Sequence, residues 1–167
     1  MQRGANLNRL LSTDKSVAGF DAHQINCTYY AALDCDDDAY LSARAIQFFA
    51  PGVPQVYYVG LLAGENDYEG VERTGEGRAI NRTNYSIAEV EIALQKPVVR
   101  RLLNLIRFRN DHSAFGGVLE VPKAAEGELR LVWRNRSQRC SLLVDLKNMD
   151  STIEFTSPSG ELNSFQV

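Results

Sequence analysis

The sequence lacks any long hydrophobic run and any strong excess of charge. No apolar stretch approaches the roughly 20 residues that a helix needs to cross a bilayer. The 18 basic and 21 acidic residues leave a net charge of −3, which gives no general attraction to nucleic acid or to an anionic membrane. We therefore expect neither of these as a partner. Of the 167 residues, 44% are hydrophobic and 23% are charged, as in an ordinary soluble globular protein.

Cysteine is scarce as well. Cys27, Cys35 and Cys140 are an odd number without the spacing of a metal site, which argues against a disulfide framework and favours a reducing, cytoplasmic location. The N-terminal segment has no continuous apolar stretch of the kind a signal peptide needs. The acidic run at residues 34–38 lacks the alternation and the distal glutamate of a calcium loop. We predict no metal site.

The pattern of the chain changes near residue 115. Before that point, residues 39–49 and 98–109 each have the apolar stripe of an amphipathic helix, and residues 86–89 have the spacing of a capping box. The apolar run at 53–60 predicts a strand that is buried on both faces. Residues 61–84, rich in Gly, Glu and Arg, predict a long loop without regular structure.

Beyond residue 115 the pattern becomes that of short strands separated by turn residues. The runs are 117–121, 128–133, 140–146, 152–155 and 162–167. The sequence thus predicts an α/β part over residues 1–115 and an all-β part over residues 116–167.

Four stretches before the change of pattern are specific enough to indicate a family. They are GFDAHQINCTYY at 19–30, the segment DDDAYLSARAIQFFAPGVPQVYYVGLLAGEND at 36–67, GEGRAINR at 75–82 and KPVVRRLLNLIRFRN at 96–110. Together they closely resemble the sucrose phosphorylases of the α-amylase superfamily. The resemblance implies the last strand-helix units of a (β/α)8 TIM barrel, followed by a small antiparallel β domain. In that frame residues 56–59 would be the eighth barrel strand.

The resemblance also implies a chemistry. In the family a carboxylate attacks the glucosyl anomeric carbon while a carboxylic acid protonates the leaving fructose, and phosphate then takes the glucosyl group with retained configuration. The implied partners are sucrose or a related α-glucoside and inorganic phosphate, without a cofactor, and the full-length form is expected to be a homodimer. The family's catalytic carboxylates lie on earlier barrel strands, and no segment here matches them. We expect no catalytic residue in this chain and no activity from it alone.

The resemblance assigns Arg78, in the GEGR stretch, to holding the glucosyl ring. A guanidinium presents several fixed donors that suit sugar hydroxyls. The alternative is an arginine that only faces solvent. Relatives usually carry an aspartate after this arginine, whereas this chain has Ala79. A missing acidic partner would weaken the orientation of the guanidinium.

The second binding stretch implied by the resemblance is the loop that contacts fructose or makes room for phosphate. Asp21 and Gln24 match it, and they could otherwise be an ordinary turn aspartate and loop glutamine. His23 stands where sucrose phosphorylases generally have tyrosine. This exchange is either neutral or points to relatives that act on a sucrose phosphorylated on fructose, and glucosylglycerate phosphorylases are similar here too. Tyr57 and Tyr58 could be platforms on which a sugar stacks, but we favour barrel packing for both.

A different class of function also fits the sequence: a non-catalytic carbohydrate-binding remnant. It would need a self-sufficient fold, whereas a barrel strand without neighbours exposes unpaired backbone groups and apolar faces. We therefore predict that the isolated polypeptide self-associates. Light scattering coupled to size-exclusion chromatography measures this directly. Monodisperse material that unfolds cooperatively would contradict the prediction.

Overall fold

The computed structural model describes residues 11–13 and 22–167. The contacts divide the chain into two compact units. The first unit comprises the residues up to Asp36 together with Val56–Gln95, and the second comprises Asp37–Gln55 together with Lys96–Val167. In the part of the chain that is described, no helix has the length and apolarity needed to cross a membrane. The boundary predicted near residue 116 concerns the longer protein and stays a prediction.

The predicted order of elements, helices first and an all-β part last, is confirmed. The α-helices are α1 (Tyr29–Ala32), α2 (Asp37–Phe49), α3 (Tyr58–Leu61), α4 (Tyr68–Thr74), α5 (Ile87–Ala93) and α6 (Pro97–Asp111). The strands are β1 (Leu11–Thr13), β2 (Ala22–Ile25), β3 (Val118–Glu120), β4 (Glu128–Asn135), β5 (Gln138–Asp145), β6 (Asp150–Thr156) and β7 (Leu162–Gln166). Two 3₁₀ helices span Gly77–Asn81 and Ser113–Gly116.

The second unit is built on a five-stranded antiparallel sheet, β3 to β7, in which neighbours in sequence are neighbours in space. All five predicted strand runs are confirmed. Helices α2 and α6 belong to the same unit, and their apolar faces are buried with one face of the sheet, as Leu41, Leu102, Leu142 and Ile153 illustrate with 0% exposure. Burying a side chain of this size contributes about 1.5–3 kcal/mol.

Two polar side chains tie helix ends to the sheet of this unit. The indole Nε1 of Trp133 donates to the carbonyl of Phe49, the last residue of α2, at 2.8 Å. His112 follows α6, where its Nδ1 accepts from the amide of Ala114 at 3.3 Å and its Nε2 lies 3.0 Å from the carbonyl of Thr156. These bonds satisfy backbone groups that a helix or strand end leaves without a partner.

The first unit has short helices with well-formed caps. The predicted capping box is confirmed: Ser86 Oγ accepts from the amide of Glu89, while the Glu89 carboxylate accepts from the amide of Ser86 at 2.7 Å. Those hydrogen bonds lower the pKa of Glu89. Helix α1 begins after Thr28, whose Oγ1 accepts from the amide of Ala31 at 3.1 Å. Each cap contributes about 1 kcal/mol.

The strand predicted over residues 53–60 is wrong. Residues 53–57 have no regular structure, and residues 58–61 form α3. The amide of Leu61 donates to the carbonyl of Tyr57 at 2.9 Å, so local bonds satisfy the backbone that a strand would pair with its neighbours. A short apolar run fits a buried strand and a helical turn equally well, and composition does not separate them.

The loop predicted over residues 61–84 is also wrong in part, because it contains α4 and the 3₁₀ helix Gly77–Asn81. Asp67 caps the start of α4 by accepting from the amide of Gly70 at 2.7 Å. Gly75 ends the helix in the left-handed conformation with φ of 71°, which glycine adopts without steric cost. The sequence signals for this helix are the capping residue Asp67 before its start and the glycine, Gly75, after its end.

Candidate functional site

Arg78 lies in the first unit, on the 3₁₀ helix Gly77–Asn81, and its side chain is exposed. Among the residues that the structure describes, it has no ion-pair or hydrogen-bond partner. The next residue, Ala79, has no side-chain group that could supply one. A cavity of about 450 Å³ lies beside it, and its described lining includes Val71, Glu72 and Gly77. This volume is within the usual range for small-molecule sites.

The 3₁₀ helix that carries Arg78 is fixed at several points. The side chain of Ile80 is 2% exposed, and its carbonyl accepts from the amide of Asp67 at 2.8 Å. Nδ2 of Asn81 donates to the carbonyl of Cys27 at 3.3 Å. The backbone under Arg78 is therefore held, while the guanidinium itself has no partner among the described residues.

The second predicted stretch begins on β2. This strand pairs antiparallel with β1, and the register joins Ser12 to Gln24 and Thr13 to Ala22. The register therefore shifts at His23, which is the extra residue of a β-bulge. Bulges bend a strand locally and are common beside active sites. The side chains of His23 and Gln24, and the whole of Asp21, lie outside the described residues.

The structure brings the chain just after β2 to the segment that carries Arg78. Cys27 and Thr28 follow Gln24 by three and four residues, and both are hydrogen-bonded to side chains of residues 61–82. Asn66 provides two of these hydrogen bonds and Asn81 the third. The two predicted binding stretches are thus joined through the backbone at residues 27–28.

A second cavity of the first unit, of about 470 Å³, is mostly apolar, with Tyr58, Leu62, Tyr85 and Leu94 in its lining. Burial raises the pKa of Tyr85 and of Tyr58, so both phenols stay neutral. Tyr58 donates from Oη to the carbonyl of Thr83 at 2.9 Å. Tyr57 and Tyr58 are 56% and 39% exposed, so the packing predicted for them is not found within this chain.

Residues 26–167 contain no group of three or more His, Cys, Asp or Glu side chains placed to hold a metal ion. Cys27, Cys35 and Cys140 form no disulfide among the described residues. Cys140 is fully buried in the sheet of the second unit, and this burial raises its pKa to about 12. A thiol in that state is inert as a nucleophile and as a metal ligand.

Comparisons with known proteins give a consistent result. The chain is 58% identical over 162 residues to a protein named sucrose 6(F)-phosphate phosphorylase from Thermoanaerobacterium thermosaccharolyticum, and the match covers 96% of the chain and 33% of that protein. It is 51% identical over 143 residues to a sucrose phosphorylase from Agrobacterium vitis, covering 86% of the chain and 29% of the relative. A scan of protein-family models finds no match.

A solved structure agrees with these relatives. The crystal structure titled sucrose 6F-phosphate phosphorylase from Thermoanaerobacter thermosaccharolyticum superposes with a TM-score of 0.92 at 56% identity, over 99% of this chain and 33% of that one. The chain belongs to the sucrose phosphorylase family and matches the C-terminal part of its members.

Membership of the sucrose phosphorylase family confirms the predicted fold class, since the chain has the fold of the C-terminal part of that structure. The chain spans about a third of the length of the relatives it matches. Other similar phosphorylases include a glucosylglycerol phosphorylase of Marinobacter adhaerens, 50% identical over 134 residues, which are 80% of the chain and 28% of the relative. The roles of Arg78, Asp21, His23 and Gln24 stay predictions.

The packing around Gly64 gives a testable prediction about the segment that carries Arg78. A Cβ at Gly64 would lie 2.3 Å from Tyr85 Oη and 2.7 Å from Val59 Cγ1. We expect Gly64→Ala to destabilise the chain by about 1–3 kcal/mol, the usual cost of overpacking. The matched control is Gly116→Ala, where the nearest atom would be Asn135 Nδ2 at 3.4 Å.

Thermal unfolding of the two variants and of wild type, each joined to the first two-thirds of the Thermoanaerobacterium relative, measures the difference. We expect Gly116→Ala to unfold within a degree or two of wild type, because a contact at that distance is nearly ordinary. Equal effects of the two substitutions would contradict the packing described around Gly64.

Proposed function

We propose that this chain supplies the substrate-binding loops of a retaining glucosyl-transferring phosphorylase. The donor is sucrose or a related α-glucoside, the acceptor is inorganic phosphate, and the chain itself holds no catalytic carboxylate. The observation that supports this most is the similarity to named phosphorylases over 96% of the chain, including both predicted binding stretches. Residues 1–115 belong to the catalytic barrel in this proposal, and residues 116–167 form the C-terminal β domain.

In this proposal the rest of the protein supplies the catalytic carboxylates, and this chain supplies residues that bind the substrate. The nucleophile and the acid that a retaining transfer needs, about 5 Å apart across the sugar, come from the part of the protein outside this chain. Arg78 donates hydrogen bonds to the glucosyl ring, which holds the anomeric carbon in place. Asp21 and Gln24 contact the leaving sugar, and their loop then makes room for phosphate.

The setting of the enzyme is part of the proposal. Three cysteines, an odd number without metal-site spacing, suit a reducing cytoplasm. The full-length form acts as a homodimer without a cofactor. A carbohydrate-binding remnant is the competing class of function. It predicts sugar affinity but no turnover when the chain is joined to a complete catalytic part.

The test is a chimera that joins the first two-thirds of the Thermoanaerobacterium relative to residues 1–167 of this chain. We expect phosphate-dependent formation of glucose 1-phosphate. In the chimera Arg78→Ala is expected to lower kcat/KM by about 10- to 100-fold, the effect of losing hydrogen bonds to a charged group. Arg73→Ala is the matched control, because Arg73 is an exposed arginine in the last turn of α4.

Each outcome separates the parts of the proposal. A folded chimera without turnover would overturn the proposed function. An active chimera in which Arg78→Ala and Arg73→Ala behave alike would leave the function standing and refute the role of Arg78.

A second candidate substrate is sucrose phosphorylated on fructose. Two observations favour it: the 58% identical relative is named for that substrate, and His23 replaces the tyrosine of sucrose phosphorylases at a register shift of β2. An imidazole can donate a hydrogen bond to phosphate, and a protonated one adds charge.

We predict that His23→Tyr lowers the preference of the chimera for the phosphorylated substrate. The ratio of kcat/KM for sucrose 6F-phosphate to that for sucrose should fall by about tenfold or more, the equivalent of one charge-assisted hydrogen bond. Initial rates with both substrates measure the ratio. An unchanged ratio would show that His23 is a neutral exchange.

A further inference from the structure

Asn66 makes the most direct connection between the two predicted binding stretches. Its Oδ1 accepts from the amide of Thr28 at 2.8 Å. Its Nδ2 donates to Cys27 Sγ at 3.6 Å and to Tyr68 Oη at 3.3 Å. One half-buried amide thus engages two consecutive residues that lie 38 and 39 positions earlier in the chain. Nothing in the predicted chemistry assigns Asn66 a role.

Asn81 makes a second connection to the same point. Its Nδ2 donates to the carbonyl of Cys27 at 3.3 Å. Cys27 therefore has two polar groups held by the later segment, its thiol by Asn66 and its carbonyl by Asn81, while its neighbour Thr28 is held through the amide. The peptide group between Cys27 and Thr28 is therefore hydrogen-bonded at its carbonyl and at its amide, which fixes its position relative to residues 66–81.

Both asparagines are connected to Arg78 through the backbone, Asn81 directly and Asn66 through one hydrogen bond. Asn81 follows Arg78 by three residues on the same 3₁₀ helix. Asn66 precedes Asp67, whose amide donates to the carbonyl of Ile80 at 2.8 Å. A displacement of residues 27–28 is thus opposed by the backbone that carries Arg78, and a displacement of Arg78 is opposed by residues 27–28.

We propose that Asn66, with Asn81, is a positioning residue. It holds residues 27–28, which follow Asp21 and Gln24 in the chain, in a fixed position relative to the segment that carries Arg78. The proposal rests on the function proposed above for those two stretches. Two segments that share hydrogen bonds are expected to open together. The apparent affinity for substrate then depends on the fraction of molecules in which both segments are in place. Neither asparagine touches the reacting atoms in this account.

The first experiment uses the chimera but needs no activity. The rate of Cys27 alkylation by iodoacetamide, read at the Cys27 peptide by mass spectrometry, reports how often the link opens. We expect Asn66→Ala to raise this rate about fivefold or more, since it loses the hydrogen bonds to both Thr28 and Cys27 and about 1 kcal/mol shifts an opening equilibrium by that factor. Asn66→Asp keeps the acceptor for the Thr28 amide and loses the donor, so we expect a smaller increase.

Two further variants make this experiment specific. Asn81→Ala should also raise the alkylation of Cys27, although Asn81 contacts only its carbonyl. Asn84→Ala is the matched control, because Asn84 is exposed and has no hydrogen bond among the described residues. Alkylation that is equal in Asn66→Ala, Asn84→Ala and wild type would overturn the proposal, whatever the function of the chain.

The second experiment uses the active chimera and separates positioning from a merely structural role. We expect Asn66→Ala to raise KM about fivefold and to leave kcat nearly unchanged, because saturating substrate draws the loops back into place. Asn81→Ala should have the same signature. A loss of kcat at constant KM, or a loss of folded protein only, would overturn the role, whereas a wild-type chimera without turnover would count against the proposed function and not against the link at Cys27.

Discussion

The hydrogen bonds between residues 27–28 and the side chains of Asn66 and Asn81 are the constraint on which the proposed site depends. The bonds to the Thr28 amide and the Cys27 carbonyl are neutral hydrogen bonds with a net contribution of about 1 kcal/mol each, and the bond to the Cys27 sulfur, a weak acceptor, contributes less. Their effect comes from their arrangement, since they join stretches that are far apart in sequence. A sugar ring held from two sides needs both sides in a fixed relation, because catalysis loses rate steeply when the bound geometry drifts.

The elements that follow from local pattern were predictable from the sequence. The apolar stripe of α2, the capping box of α5 and the alternation of β3 to β7 each depend on residues within one turn or one hairpin. The run at 53–60 was not predictable, because apolar composition fits a strand and a helical turn alike. The start and end of α4 had signals in Asp67 and Gly75, but the roughly two helical turns between them give too little periodicity.

The candidate site was predictable only through the family resemblance. Motif matches identify Arg78, Asp21, His23 and Gln24, whereas nothing local distinguishes Asn66 or Asn81 from any surface asparagine. Their roles come from contacts across 38 to 54 residues of sequence, which no periodicity encodes. In the proposed site, the two departures expected from the family resemblance concern different sides of the sugar: Ala79 stands beside Arg78, on the side of the glucosyl ring, and His23 stands on the side of the leaving group.

The central claim is that this chain binds substrate and that its catalytic carboxylates lie elsewhere in the protein. The most direct measurement is glucose 1-phosphate formation from sucrose or sucrose 6F-phosphate by two co-expressed polypeptides, this chain and the first two-thirds of the Thermoanaerobacterium relative. The account predicts turnover by the pair and none by either polypeptide alone. Turnover by this chain alone, or an assembled pair without turnover, would contradict it.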